Sequence, residues 1–345
     1  MNVLMIGAGM VAQTHVLALR DNRAGARLMG VLGRDGDRLS SFCEAAAQTL
    51  GYEVEAFTDL EVATRAGPDM ALLITPPDAR AGFAAALAAA GVPTLMEKPV
   101  ERTLEAARAV VDVYARAKVP LALCFQHRTR AAAQDVKQRL ASGALGEIVH
   151  VEVRVPWWRD QGYYDAPGRG SYARDGGGVM INQAIHTVDL ALWLAGPVVR
   201  VQAIMRTSPL HRMEAEDIAG ALLDFRSGAS GILSATTAAY PGGAESISLI
   251  TTKAHVHLAG DSLRINWLSG QNETRAPEGD AATGGGADPM AFTHGWHQAL
   301  LEDFVVCVAE GRMPIAPPVE ALRVHAVIDA MERAARTGEH AEVAA

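Results

Sequence analysis

A glycine-rich turn, a lysine and a histidine are the residues of this 345-residue chain whose types and spacing could do chemistry. The turn is Gly7-Ala8-Gly9-Met10-Val11-Ala12, directly after an apolar run at 3–6. In a G-x-G-x-x-A pattern the first glycine permits a tight turn out of a strand. The second lets the backbone approach a pyrophosphate, and the alanine lets a helix pack closely on the strand. The helix N-terminus then faces the phosphates with unpaired N–H groups and the positive end of its dipole. Gly7, Gly9, Met10 and Val11 are therefore candidate cofactor-binding residues. Such a turn can also serve structure alone, but its place between a strand and a helix favours the dinucleotide reading. The lysine lies in Met96-Glu97-Lys98-Pro99, at the end of an expected parallel strand, the edge where such sheets bind ligands. There it can hydrogen-bond a substrate hydroxyl and help a proton leave. The histidine follows Gly176-Gly177-Gly178 on a helix: Asn182 and His186 are four apart and share one helical face. The glycines would let the chain come close to a ligand. Taken singly, Lys98 is equally readable as a surface lysine and His186 as a buried structural histidine.

Two further segments bear on what would be bound. The second expected strand ends Val31-Leu32-Gly33-Arg34-Asp35. A carboxylate there would accept the ribose 2′-OH of NAD, whereas Gly33 followed by Arg34 leaves room for a 2′-phosphate and a planar cation to pair with it. The expectation leans to NADP over NAD, with Arg34 stacking on adenine as the alternative and Asp35 blurring the choice. The stretch 156–175 is crowded with Trp157, Trp158, Arg159, Tyr163, Tyr164, Arg169 and Tyr172. Aromatic faces suit sugar rings and arginines suit a carboxylate or phosphate. Trp158, Arg159, Tyr164 and Arg169 are thus candidate substrate-binding residues, set against packing of a long loop or a subunit interface. His294 and His297 are three apart and could ligate a metal, but no third ligand is evident. A capping or substrate-contacting role suits them better, and no metal is expected.

The elements that must position these groups divide the chain in two. Apolar runs at 3–6, 28–32, 70–74, 94–96 and 121–125 alternate with helical stretches at 10–20, 37–49, 79–90 and 104–117. Such alternation implies a parallel sheet covered on both faces. A polar helix at 132–142, a strand at 147–155 and a helix at 179–194 follow. Strands at 199–206, 217–225, 231–237, 246–251, 255–258 and 263–267 suggest a largely antiparallel sheet. Residues 273–289 read as a mobile loop, and helices at 293–310 and 319–337 end the chain. The expected fold is α/β: a dinucleotide-binding Rossmann domain over 1–123, then a substrate-binding and oligomerisation domain over 124–345. The last helices are free to pack back on the first domain.

Composition narrows the function classes. Hydrophobic residues make up 49% and charged residues 20%, which excludes a mostly disordered chain. The net charge of -8, with dispersed Lys and Arg, gives no electrostatic reason to expect nucleic acid. No apolar run approaches a membrane span, and the start reads as a strand rather than a signal peptide. Cys43, Cys124 and Cys307 are too few and too spread for a disulfide framework or zinc spacing, so free thiols in a reducing cytoplasm are expected.

Taken together, the motifs resemble the glucose–fructose oxidoreductase, inositol dehydrogenase and rhizopine catabolism (Gfo/Idh/MocA) family over nearly the whole chain. The match comprises GAGMVAQTH with His15, ITPPD at 74–78, EKP at 97–99, GGGVMINQAIHTVD at 176–189 and DFVVCVAEGRMP at 303–314. The resemblance implies a Rossmann domain and an α/β domain with a large open, mainly antiparallel sheet. It implies hydride transfer between nicotinamide and a carbinol carbon of a sugar, cyclitol or related small polar substrate. Other members reduce C=C or C=N bonds, and a ligand-sensing protein that lost catalysis is the further alternative. It also implies that Lys98 and His186 flank the substrate in one cleft, with His186 the acid/base, Lys98 its polarising partner and Asn182 beside them. Thr75, Pro76, Pro77 and Glu97 would line the nicotinamide side, Lys98–Pro99 would be cis, and a homodimer or homotetramer would form through the C-terminal sheet. Three departures stand out: Asn182 where the family often has Asp, Arg80 where it has a histidine after its T-P-x motif, and the missing second-strand carboxylate. Asp189, one turn beyond His186, could orient the imidazole or serve structure.

Overall fold

A computed structural model describes residues 1–34, 36–276 and 292–344. The chain forms two compact units. The first comprises 1–101, 105–126 and 294–321. Its strands are β1 (Asn2–Ile6), β2 (Arg27–Leu32), β3 (Glu55–Phe57), β4 (Met70–Leu73), β5 (Thr94–Met96) and β6 (Leu121–Leu123). Between them run α1 (Ala12–Asp21), α2 (Gly36–Leu50), α3 (Leu60–Arg65), α4 (Arg80–Ala89) and α5 (Leu104–Ala117). All pairings are parallel, in the order β3-β2-β1-β4-β5-β6. That is the doubly wound Rossmann order, whose strand order reverses between β1 and β4, so ligands bind beyond the carboxyl ends of those strands. Val3, Leu4, Met5 and Ile6 are all buried, as a strand covered on both faces requires. The late helix α9 (Gly295–Glu310) belongs to this unit. Its Leu300, Leu301, Phe304 and Val305 join Val16 and Leu19 of α1 in one core. Each such buried side chain contributes roughly 1.5–3 kcal/mol.

The second unit comprises 102–104, 127–293 and 322–345, of which 277–291 and 345 lie outside the described residues. It carries a nine-stranded sheet built on β7 (Ile148–Pro156), β8 (Val198–Arg206), β9 (Ile218–Phe225), β10 (Ser230–Thr236), β11 (Ser246–Thr251), β12 (Ala254–Ala259), β13 (Ser262–Trp267), β14 (Asn272–Arg275) and β15 (Ala341–Glu342). The order is β14-β13-β12-β11-β7-β10-β9-β8-β15, antiparallel except for the parallel pair β7–β10. Helices α6 (Ala131–Ala141) and α8 (Ile185–Ala195) pack together, and α8 lies against β7 and β11. The sequence of α8 is apolar nearly all round, and nine of its residues are buried, the arrangement expected of a helix inside a core. On β8, β9 and β10 of the same sheet, Ile204, Leu222 and Ile232 are exposed.

Several details differ from the sequence reading. β3 and α3 were not expected: three and six residues are too short to show a period. β14 and β15 sit at the two edges of their sheet; β14 is polar and β15 has only two residues, so neither shows the alternation that marks a half-buried strand. Residues 273–275 are therefore strand rather than loop, and 277–289 lie outside the described residues. The aromatic stretch contains a short helix, α7 (Gln161–Asp165), capped by the Asp160 carboxylate. The expected helix at 179–194 opens with a π-turn, Met180–Ala184, before α8. Among the described residues no helix is long and apolar enough to cross a membrane. The three cysteines are buried free thiols.

Candidate active site

The glycine turn forms as its residues dictate. Gly7 has φ +107°, a value favouring glycine, and its N–H donates to Leu32 O at 2.9 Å. A Cβ on Gly7 would come within 3.3 Å of Thr75 N, so the ends of β1 and β4 are close. A Cβ on Gly9 would meet nothing within 4 Å. Protein packing thus does not demand this glycine, and the space is what a pyrophosphate needs. The N-cap of α1, Val11, offers no side-chain hydrogen bond, and Met10 is exposed. Thr75 Oγ1 is buried with no hydrogen-bond partner among the described residues, beside exposed Pro76 and buried Pro77. A Cβ on Gly33 would come within 3.1 Å of Leu39, and Arg34 is exposed; Asp35 lies outside the described residues. An open glycine, an uncapped helix end and an orphaned hydroxyl together fit a dinucleotide.

The Glu97-Lys98-Pro99 turn is held by side chains that spacing alone did not select. The Lys98–Pro99 peptide is cis, as expected. Glu97 is buried; its Oε1 lies 3.0 Å from His15 Nε2 and 3.5 Å from His297 Nε2, while its Oε2 accepts the Lys98 N–H at 3.1 Å. Burial alone would raise this carboxyl, but the hydrogen bonds from His15 and His297 outweigh it and hold it well below the usual range. Buried Cys124 closes the cluster, its thiol pushed well up by burial and by Glu97. His297 therefore serves this carboxylate, while His294 stands at the N-cap position of α9 without a side-chain capping bond and its ring bonds Asp21 at 2.7 Å, so the two histidines face different partners.

The second unit presents the histidine. His186 is buried on α8, and the ring of His127 stacks on it at 4.9 Å with an interplanar angle of 29°. One turn along, the fully buried Asp189 accepts two hydrogen bonds from Arg128, at 2.8 and 2.6 Å. Asp189 thus serves a bidentate ion pair. Asn182 Nδ2 donates to Gly177 O at 2.8 Å and Gly178 O at 3.1 Å, which a carboxylate could not do. That gives a local reason for Asn at this position. Read as making room for a ligand, two of the glycines prove to make room for protein. A Cβ on Gly178 would lie 1.8 Å from Glu216 O, and one on Gly176 2.7 Å from the Arg102 backbone. Glu216 in turn accepts the N–H groups of Gly178 and Met180 and so caps the start of the helix. The π-turn adds a residue of slack there, a feature often found at functional sites.

The aromatic stretch sorts into packing and presenting residues. Tyr164 is buried with its hydroxyl 2.6 Å from Thr237 Oγ1, and burial pushes that phenol up. Its hydroxyl is thus held within the protein. Tyr163 is half-buried between the guanidinium groups of Arg159 and Arg169, and its hydroxyl accepts from Gln183, three residues before His186. Arg159 is buried and also lies over Trp157, and Arg169 pairs with Asp175 at 3.7 Å. Half-buried Trp158 contacts Tyr240 edge-on. His211 ties the stretch down, with Nδ1 2.6 Å from Asp217 and Nε2 2.9 Å from Arg159 O. Sequence reasoning named Tyr163 only as part of the aromatic stretch and missed His127, Arg128 and the clamp made by Arg80. Only Arg80 left a signal, as a departure from the family pattern.

A Rossmann unit with an open dinucleotide cradle, joined to a unit that buries a histidine on a rigid helix, defines a nicotinamide-dependent oxidoreductase. Comparison with known proteins gives the family. The oxidoreductase family model with an NAD-binding Rossmann fold matches residues 1–125, and the GFO/IDH/MocA C-terminal domain matches 133–257. The chain belongs to the Gfo/Idh/MocA family. It is 26% identical over 325 residues to scyllo-inositol 2-dehydrogenase (NAD(+)) of Bacillus subtilis, covering 92% of this chain and 89% of that one. It is 28% identical over 280 residues to an inositol 2-dehydrogenase of Rhizobium meliloti, covering 79% and 80%. Among solved structures, the WlbA dehydrogenase of Bordetella pertussis, in complex with NADH and UDP-GlcNAcA, superposes with a TM-score of 0.84 at 28% identity. That match covers 100% of this chain and 98% of the other.

Proposed function

We propose that the protein transfers a hydride between nicotinamide and a carbinol carbon of a sugar, cyclitol or sugar derivative. The observation that carries this is the pairing, in one chain, of an open dinucleotide cradle ending at Lys98 with an acid/base candidate, His186, fixed on a buried helix. Gly7, Gly9, Met10 and Val11 would hold the pyrophosphate, Gly33 and Arg34 the adenosine ribose, and Thr75, Pro76, Pro77 and Glu97 the nicotinamide end. When bound, the nicotinamide supplies the hydride chemistry. His186 takes or gives the hydroxyl proton, Lys98 acts as its polarising partner, and Asn182 holds the glycine run through the carbonyls of Gly177 and Gly178. Trp158, Tyr163, Arg159 and Arg169 would recognise the sugar and any anionic substituent. The exposed Ile204, Leu222 and Ile232 on the sheet support assembly of a homodimer or homotetramer through that face. The test is turnover with a panel of sugars, inositols and sugar nucleotides, using NAD+ and NADP+ in turn. No oxidation of any of them, or oxidation unchanged in His186→Asn, refutes the reading.

The cofactor reading extends to a preference. NADP(H) should bind at least as well as NAD(H), because Gly33 offers no carboxylate to the ribose and Arg34 is exposed with no ion pair among the described residues. A charge-assisted hydrogen bond to the 2′-phosphate typically contributes about 1.5–3 kcal/mol. Dissociation constants for both cofactors, in the native protein and in Arg34→Ala, decide this. A native preference for NAD(H), or equal weakening of both by the substitution, removes Arg34 from that role.

A further inference from the structure

Arg80 occupies a place that neither half of the proposed mechanism uses, yet it touches both loops assigned to the nicotinamide end. It is the first residue of α4 and only 2% exposed. Its Nε donates to Thr75 O at 2.9 Å, on the loop after β4. Its Nη1 donates to the carbonyls of Glu97 and Pro99, and its Nη2 lies 3.5 Å from that of Lys98, all on the turn after β5. β4 and β5 are adjacent parallel strands, so these four carbonyls come from two neighbouring strand ends. Buried carbonyls need donors. A guanidinium has five N–H groups in a rigid fork and can serve several at once, whereas a neutral imidazole has one.

We propose that Arg80 is a positioning residue that locks the Glu97–Pro99 turn to the Thr75 loop and so sets where Lys98 and Thr75 meet the nicotinamide end of the cofactor. The inference rests on the proposed reading of those two residues as lining that end. Three features support it beyond the contact itself. The carbonyl side of the turn is gripped by Arg80, while its carboxylate side is gripped by His15 and His297, so the turn is fixed from two directions. β5 has only three residues and ends at Met96, leaving the turn little strand pairing of its own. The guanidinium stays charged at neutral pH: burial lowers it to about 10, and Glu97, Glu101 and Asp78 oppose that fall. Its charge is thus held among carbonyl dipoles and carboxylates rather than spent on one partner. A residue that merely filled space here would not need to reach four acceptors.

The experiment compares NADH and NADPH with their nicotinamide-free counterparts, ADP-ribose and its 2′-phosphate. Dissociation constants are measured by titration calorimetry for the native protein, Arg80→Ala and Arg80→Lys. The lysine variant keeps the charge but not the fork, and covers the case in which the alanine variant does not fold. Loss of one charge-assisted contact set should weaken the nicotinamide-bearing ligand by about tenfold. The counterpart lacking nicotinamide should change by less than about twofold. Equal weakening of both ligands means Arg80 only supports the fold and overturns the inference. So does unchanged binding of both in variants that fold. Native protein that binds neither ligand overturns the cofactor reading itself, and the inference with it.

Discussion

Lys98 sits at the end of a three-residue strand, and its surroundings are polar: one buried carboxylate, two imidazoles and a guanidinium gripping backbone carbonyls. His186 sits inside a helix buried on nearly every side, next to a stacked ring and one turn from a bidentate ion pair. The turn has little apolar surface to bury, so directional bonds must place it. The helix is placed by packing, and its polar partners only settle the rotation of a few side chains. Change at the turn should therefore alter binding and rate with modest loss of stability. Change around the helix should cost stability first, because the groups there are part of the core.

The largest expected effect separates the two residues themselves. His186→Asn removes the proposed general acid/base and should lower kcat by about 10²–10⁴. Lys98→Met removes the proposed charged hydrogen bond to the substrate and should cost about 10–100-fold. Steady-state kinetics on whichever substrate the panel identifies measures both. If the lysine variant loses more, the two have exchanged roles. Next in size is Arg128→Met, which removes the bidentate guanidinium from the fully buried Asp189 carboxylate, and breaking such a buried pair typically costs about 3–5 kcal/mol. Denaturant unfolding should show it, while an equal loss from Glu97→Gln at the turn would break the contrast drawn above. Asn182→Asp comes third. Its carboxylate would face the carbonyls of Gly177 and Gly178, which now accept from the amide, and should cost about 1–3 kcal/mol in unfolding experiments.

The same contrast explains what the sequence revealed. The β–α rhythm, the glycine turn, EKP and the histidine helix are local patterns, legible because each depends on neighbours along the chain. The supports are not local. Arg80 meets Lys98 across 18 positions, Arg128 meets Asp189 across 61, and His15 meets Glu97 across 82. No periodicity announces such pairs. Tyr163 and Tyr164 are adjacent, and only the fold shows that the first presents its ring between two arginines while the second is packed away. The triple glycine was legible as close approach, but its partner, the backbone at Glu216, could not be read from spacing.

The smallest expected effect is a pH dependence whose sign differs between the two regions. Glu332 of helix α10 (Pro318–Thr337) lies by Glu216, the residue that caps the start of the histidine helix. Burial pushes the Glu332 carboxyl up to about 7; Glu216 and Asp329 add to the shift and Arg336 opposes it. Tyr172 and Asp217 also face this pair. In the unfolded chain a glutamate titrates near ~4.3, so between there and about 7 the folded protein holds a proton the unfolded chain has released. Stability should therefore fall as pH rises through that window. Glu332→Gln should melt above the native protein at pH 8 and level with it near pH 4, by about 1 kcal/mol given partial solvent screening. The turn behaves oppositely. Glu97 is held well below the usual range, so its contribution is complete above ~4.3 and is lost as pH falls through its folded value. Melting curves of native protein, Glu332→Gln and Glu97→Gln from pH 4 to pH 8 test both signs together. If Glu332→Gln gains nothing at pH 8, the carboxyl is already ionised there without cost, and the acidic pair places no strain on the end of the helix.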